Sequence, residues 1–327
     1  MNSHGNHKVF AVSPAGFAEL ALEIFRFQYA GNAVYRDYVN ALQVNVSAVR
    51  SVVQIPFLPI RFFKTHRVQT GAAETAIVFE SSGTTGTVPS RHFVSDAGLY
   101  RESFTRGFES FYGSAAGWCI IGLLPSYLER QHSSLVYMAD DLVRQSGHAD
   151  SGFYLYEQEQ LAALLNRLER AGQKTLLIGV TFALLDFAEH CPMPLKHTVI
   201  METGGMKGRR EELVRQEVHD ILQQAFHTPV IHSEYGMTEL LSQAYSAGEG
   251  LFRCPPWMKV LVRDDEDPLS VYEGPGSGAI NIIDLANIHS CSFIATEDAG
   301  RVFPDGSFHV FGRLDHSDLR GCSLLVV

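Results

Sequence analysis

From residue 76 to residue 232 short apolar runs alternate with amphipathic stretches, and this alternation restricts the fold more than any other feature of the chain. Runs at 76–79, 118–124, 153–156, 176–180, 197–201 and 229–232 read as strands, and 95–112, 131–145, 157–171, 182–190 and 211–226 read as helices. The clearest helix is 157–171, where Leu161, Leu164, Leu165 and Leu168 share one face and charges the other. Such alternation predicts an α/β fold, a parallel sheet with helices on both faces, with ligand sites beyond the carboxyl ends of the strands. After residue 245 the helical period stops. Runs at 258–262, 279–284, 292–296, 301–303 and 307–311, separated by turns such as Pro304-Asp305-Gly306, predict a small β subdomain.

The N-terminal part differs again. Helical spacing of Phe17, Leu20, Ala21, Ile24, Phe25 and Tyr29, then of residues 35–42, predicts two helices followed by a proline-punctuated extended segment at 52–60. The aromatics at 57, 62 and 63 read as packing or as the lining of a pocket, packing being the commoner fate. The expected organisation is a helical segment packed on the core over 1–75, an α/β nucleotide-binding subdomain over 76–250, and the small β subdomain over 251–327.

At the end of the first strand stands Glu80-Ser81-Ser82-Gly83-Thr84-Thr85-Gly86-Thr87-Val88-Pro89-Ser90. Glycines at 83 and 86 let backbone N–H groups approach an anion, and the hydroxyls add donors without bulk. The following helix, with Ser95 or Asp96 near its start, turns its positive end toward the loop. The Walker pattern is excluded, because no lysine lies between Lys64 and Lys174. On composition alone such a cluster reads as a polar surface loop. Two further stretches sit after strands with one helix between them: Glu202-Thr203-Gly204-Gly205-Met206-Lys207, and Ser233-Glu234-Tyr235-Gly236-Met237-Thr238-Glu239. A tyrosine can stack on a flat base, a threonine can bond a phosphate oxygen, and a glutamate can hold Mg²⁺. Taken singly, each reads sooner as a strand-to-helix turn.

Composition narrows the ligand. A net charge of −10 with no basic block argues against a nucleic-acid surface, so an anionic ligand has to be held by local donors. No apolar run has the length of a membrane span and residues 1–8 lack the form of a signal peptide, which predicts a cytoplasmic protein. The five cysteines are widely spaced with no Cys-x-x-Cys pair and read as free thiols.

The order Ser-Ser-Gly-Thr-Thr-Gly-x-x-Pro resembles the phosphate loop of the adenylate-forming superfamily of acyl-CoA synthetases and related ligases. Tyr235 to Glu239 resembles its adenine and magnesium motif, and Gly204-Gly205 its adenine-side loop. Thr296-Glu297-Asp298 resembles the strand end whose aspartate holds ribose, and Gly312-Arg313-Leu314-Asp315 the hinge whose arginine also reaches ribose. The resemblance implies ATP and Mg²⁺ as cofactors. The triphosphate would lie in the loop of Ser81, Ser82, Gly83, Thr84, Thr85 and Gly86, and the base on Tyr235, Gly236, Gly204 and Gly205. Ribose would lie on Asp298 and Arg313, the metal on Glu239, and Thr238 and Lys207 would assist catalysis.

Two departures are expected to matter. The family has a lysine after the proline, where this chain has Ser90 followed by Arg91 and His92; Lys207 and Arg91 are the nearest replacement cations. Family members also continue past the hinge into a lid that carries a catalytic lysine, whereas Lys259 is the last lysine here, so the expected fold is the large domain without that lid.

Leu123 to Arg130, Glu202 to Gly205 and the terminal Asp318-Leu319-Arg320-Gly321-Cys322 together resemble the acyl-protein synthetase branch, the fatty-acid-activating subunits of a reductase complex. This implies activation of a carboxylic acid, a fatty acid in that branch, and transfer to a cysteine matching Cys322, with an acyl-donor or acyl-acceptor protein as partner. Without the resemblance, Cys322 reads equally as a packed residue on a final strand. His132 reads as an acid, base or gate, or as a helix-packed histidine. A serine hydrolase is disfavoured because no Gly-x-Ser-x-Gly occurs. The rival from another class is a degenerate nucleotide- or acyl-binding subunit without turnover.

Overall fold

The computed structural model describes residues 8–82, 88–124, 132–204, 213–265 and 267–314. Gly83, Thr84, Thr85, Gly86, Gly205, Lys207 and Cys322 lie outside the described residues. The helices are α1 (Phe17–Gly31), α2 (Ala33–Ala41), α3 (Phe62–Thr65), α4 (Ala97–Tyr112), α5 (Ser134–Ser146), α6 (Gln158–Ala171), α7 (Thr181–His190) and α8 (Arg215–Phe226). The strands are β1 (Leu58–Pro59), β2 (Ile77–Glu80), β3 (Arg91–Val94), β4 (Cys119–Leu123), β5 (Gly152–Phe153), β6 (Thr175–Gly179) and β7 (Thr198–Glu202). They continue as β8 (His232–Tyr235), β9 (Ala244–Ser246), β10 (Phe252–Arg253), β11 (Met258–Arg263), β12 (Gly276–Asp284), β13 (Phe293–Val302) and β14 (Phe308–Arg313).

Twelve of these strands form one sheet in the order β11-β12-β13-β14-β10-β9-β8-β7-β6-β4-β5, with β1 added parallel to β13. The half from β5 to β8 is parallel, and the half from β8 to β11 is antiparallel. Alternate residues of the parallel strands feed two cores. Ile120, Leu176 and Ile178 point to the face packed by α1, α4 and α5, while Ile121, Leu123 and Leu177 point to the face packed by α6, α7 and α8. This is the expected α/β sheet with helices on both faces.

Local chemistry sets the elements. Asp96 caps α4 by accepting from the N–H groups of Gly98 and Leu99, and Gly172 ends α6 in the left-handed conformation. Gly179 is fixed by space, since a Cβ there would stand 2.8 Å from Leu184 Cγ, so β6 can turn tightly into α7.

Three expectations shift. Residues 76–79 do not open the parallel sheet: β2 pairs antiparallel with β3, an unanticipated strand at 91–94, in a separate two-stranded ribbon. The residues flanking the phosphate-loop candidate, Glu80 and Arg91, therefore pair with each other across this ribbon. The runs expected at 292–296 and 301–303 merge into one ten-residue strand, β13, because the intervening Asp298-Ala299-Gly300 stays paired with β14. Ser233 to Tyr235 do not follow a strand but form one, since β8 starts at His232.

The N-terminal helices are tied to the sheet by buried polar contacts. Gln28 Nε2 donates to the carbonyls of Asn287 and Ile288, and Asn32 Nδ2 to that of Ser290. Phe57 packs edge-on against Phe293 and Phe63 edge-on against His92, so these aromatics serve packing. Cys119, Cys191, Cys254 and Cys291 are free thiols. No helix among the described residues is long and apolar enough to cross a membrane.

Candidate functional site

A cleft of about 560 Å³ opens where the ribbon, the carboxyl ends of β6, β7 and β8, and the end of β14 converge. Among its lining residues are Ser81, Ser82, Gly204, Tyr235, Gly236, Thr238 and Arg313, residues separated by up to 232 positions in the chain. Asp298 and Glu239 do not line it, but Asp298 bonds the lining Tyr235 and Glu239 follows the lining Thr238 in the chain.

Tyr235 is buried, and its hydroxyl donates to Asp298 Oδ2 at 2.7 Å. Burial raises the proton affinity of Asp298, while the Tyr235 bond and the Arg313 charge oppose that rise. Asp298 and Arg313 are direct partners across β13 and β14, so their side chains share a face. Thr203 and Gly204 follow β7. The Thr203 N–H donates to the Gly179 carbonyl at 3.0 Å, and Gly204 takes a φ of 72° that disfavours any residue with a Cβ.

Glu202, behind that loop, is the best-satisfied carboxylate in the site. It accepts from the Gly204 N–H at 2.8 Å, Thr181 Oγ1 at 3.0 Å and Arg215 Nε at 3.3 Å, with His219 Nε2 3.9 Å away. Burial pushes its carboxyl up, but His219, Arg215, the Gly204 N–H and Thr181 outweigh burial and hold it at about 2. Arg215 also donates to the Val310 carbonyl at 3.0 Å, lies over the Phe252 ring and lines the cleft. Sequence reasoning missed this cation. Its only signal was an arginine opening a helix shortly after the Gly204 loop, and its partner on β7 could not be read from that.

The ribbon carries the other wall. Ser81 and Ser90 close its end, with the Ser81 N–H donating to the Ser90 carbonyl at 3.0 Å and the Ser90 N–H to Ser81 Oγ at 2.9 Å. Ser90 is buried and its hydroxyl bonds the carboxyl of Glu239, whose proton affinity burial raises. The position where a lysine was expected thus serves Glu239 instead of the cleft. Arg91 is exposed, lies over the Phe93 ring and does not line the cleft. His92 is fully buried and burial pushes it down to about 4, so it is neutral; its Nδ1 donates to the Thr238 carbonyl at 2.9 Å. His132 lines the cleft and ties the ribbon, its ring 3.3 Å from the Val78 carbonyl and its own carbonyl accepting from the Glu80 N–H at 2.8 Å.

No protein-family model and no curated protein matches this chain. Solved structures do. The chain is similar to ATP-bound MatB from Rhodopseudomonas palustris at 15% identity and a TM-score of 0.56, over 74% of this chain and 49% of that one. It is similar to O-succinylbenzoate coenzyme A synthetase (MenE) from Bacillus subtilis, in complex with ATP and magnesium ion, at 18% identity and a TM-score of 0.52, over 76% and 52%. It is also similar to 2-hydroxyisobutyryl-CoA ligase in complex with 2-HIB-AMP and CoA, at 13% identity and a TM-score of 0.62, over 95% and 71%. The chain spans about half the length of the first two. At these identities the likeness is one of fold alone.

Proposed function

We propose that this chain activates a carboxylic acid with ATP to an acyl adenylate and passes the acyl group to a protein thiol, as an acyl-protein synthetase. The observation that carries the reading is the convergence on one cleft of Ser81, Ser82, Gly204, Tyr235, Thr238 and Arg313, with Asp298 bonded to Tyr235 and opposite Arg313. The three solved structures named above share this fold and are, by their titles, ligases or synthetases holding ATP or an acyl-AMP, or a MatB bound to ATP.

On this reading the base lies against Tyr235 and Gly204, ribose on Asp298 and Arg313, and the phosphates on Ser81, Ser82 and the loop of Gly83, Thr84, Thr85 and Gly86. A carboxylate oxygen of the acid attacks the α-phosphorus, the bond from that phosphorus to the bridging oxygen breaks, and pyrophosphate leaves. Thr238 donates to the α-phosphate, and Arg215 and Arg313 supply the cations that Ser90 does not. Lys207 is a further candidate. A thiolate at Cys322 then attacks the acyl carbonyl, AMP leaves, and the thioester forms. The acid comes from, or the thioester goes to, a partner such as a reductase subunit or carrier protein.

Among the described residues no group of three His, Cys, Asp or Glu side chains is placed to hold a metal. A magnesium ion fits here only as one held by a single carboxylate and the nucleotide's own phosphates, with Glu239 as that carboxylate and neutralisation of phosphate charge as its chemistry.

One observation favours a second reading, a nucleotide- or acyl-binding subunit without turnover: Ser90 is buried against Glu239 where the sequence resemblance implies a lysine. ATP–pyrophosphate exchange with a panel of acids, followed by intact mass of wild type and Cys322→Ser, separates the two. Exchange with an acyl adduct on wild type alone is expected, and ATP binding without exchange for any acid would favour the second reading.

A further inference from the structure

Residues on β8 alternate between two faces, and the nucleotide candidates account for only one of them. Tyr235 points toward Asp298, Phe252 and Phe308. Glu234 points the other way, sharing a face with its cross-strand partner Tyr245 and lying close enough to Tyr100, Tyr112 and Tyr245 for its charge to raise their proton affinity.

This end of the cleft is polar and incomplete. Glu234 and Gln243 both line it, and both are more than nine-tenths buried. They meet at Gly236, where an added Cβ would collide with Glu234 Oε1 and stand 3.3 Å from Gln243 Cγ. Gln243 Oε1 is a buried acceptor without a hydrogen-bond partner among the described residues, and the Tyr245 hydroxyl, on the face that Glu234 shares, is a second such atom. Leu124, Met138 and Val180 also line the cleft. An alkyl chain seated here would leave the Gln243 acceptor unpaired and press hydrocarbon against a carboxyl, whereas a ligand donor would complete the set.

We propose that the Glu234 end of the cleft selects a carboxylic acid that carries an O–H or N–H donor on its chain, a hydroxy acid or an amino acid, over a plain alkyl acid. This rests on the acid-activating reading above and specifies its substrate class, in place of the fatty acid that the sequence resemblance implies. Burial, and to a smaller extent the charge of Glu202, push the Glu234 carboxyl up to about 8, so near neutral pH it carries a proton and can bond a hydroxyl, while an ammonium seated beside it would favour its ionised form and pair with it.

The test is ATP–pyrophosphate exchange by the full chain, comparing butanoate with its 3-hydroxy, 4-hydroxy and 4-amino derivatives, and octanoate with 3-hydroxyoctanoate. At least one derivative should exceed its alkyl parent about tenfold or more in kcat/KM, because a site built to bond a donor rejects the analogue that lacks it. The hydroxy and amino arms tell which donor is meant. Gln243→Leu or Glu234→Gln should cut that preference to below about threefold. Alkyl parents that match or beat every derivative, or a preference unchanged in both variants, would overturn the inference. Calorimetry of the same acids with a non-hydrolysable ATP analogue keeps it separable from the reaction. Tenfold tighter binding of a donor-bearing acid without any exchange would remove the ligase reading and keep this one; equal or absent binding would remove this one.

Discussion

The Tyr235 hydroxyl donates to Asp298 Oδ2 at 2.7 Å, so the residue proposed for the base also orients the residue proposed for ribose. Because Asp298 is directly opposite Arg313 across the β13–β14 ladder, three chain segments meet at one carboxylate. Asp298→Ala is expected to weaken ATP binding by about tenfold or more, the equivalent of one or two charge-assisted hydrogen bonds. Tyr235→Phe should leave a buried carboxylate without its donor and lower stability by about 1–3 kcal/mol. Labelled-ATP binding and thermal unfolding check the two; wild-type affinity in Asp298→Ala would sink the ribose assignment.

Arg215 bonds Glu202 and the Val310 carbonyl. Arg215→Met should destabilise the fold by about 2–3 kcal/mol, less than for a fully buried pair because Arg215 is partly exposed. Adding Glu202→Gln should recover part of the loss, because the orphaned charge goes with it. Urea unfolding of the single and double variants checks this, and strictly additive losses would contradict it.

The two glutamates give opposite pH signatures. Glu202 is held at about 2 against an unfolded value of 4.5, so its contribution is present above pH 4.5 and is lost as pH falls toward 2. Glu234 is raised to about 8 from 4.5, so the folded state keeps a proton the unfolded chain has released, and stability falls as pH rises from 4.5 toward 8. Asp284, raised to about 6 by burial despite accepting from Leu241, Ser242 and Ala286, acts in the same direction below that pH. Glu234→Gln should therefore gain on the order of 1–3 kcal/mol over wild type near pH 8 and little near pH 5. Melting curves at both pH values test it.

His92 acts on the site through the Thr238 carbonyl. His92→Phe keeps the ring volume against Phe63 and removes that bond, and pyrophosphate exchange is expected to drop about five- to tenfold, the worth of one hydrogen bond expressed at the transition state. The imidazole is neutral from about pH 5 upward, so wild type and variant should have parallel pH–rate profiles over pH 6–8. Diverging profiles would assign His92 a proton-transfer role.

Local signals made the helices of the α/β half legible. The four leucines of α6 and the Asp96 cap of α4 are short-range patterns, and the structure places both helices within two residues of the expected bounds. The strand β3 was hidden because its Arg91-His92 reads as polar loop, although His92 is buried against Phe63 and Thr238. The continuity of β13 was hidden because Asp298-Ala299-Gly300 carries turn residues, and only pairing with β14 keeps it extended. In the site, motif order marked Ser81, Gly204, Tyr235 and Arg313. The roles of Arg215, Glu234 and Gln243 depend on long-range neighbours, namely a carboxylate on β7, a tyrosine on β9 and the crowded face of Gly236, which no local spacing encodes.

The ribbon of β2 and β3 shares no ladder with the twelve-stranded sheet among the described residues. Its ties are discrete and include Glu80 to His132, His92 to Thr238 and Phe63, Ser90 to Glu239, and the Phe79 ring between Tyr100 and Tyr137. In deuterium uptake such a piece should open at its own, lower free energy, its four rungs exchanging together and ahead of β4, β6 and β7. Any ligand that joins the ribbon to Thr238 across the cleft would therefore write itself first and most strongly into the protection of those few amides.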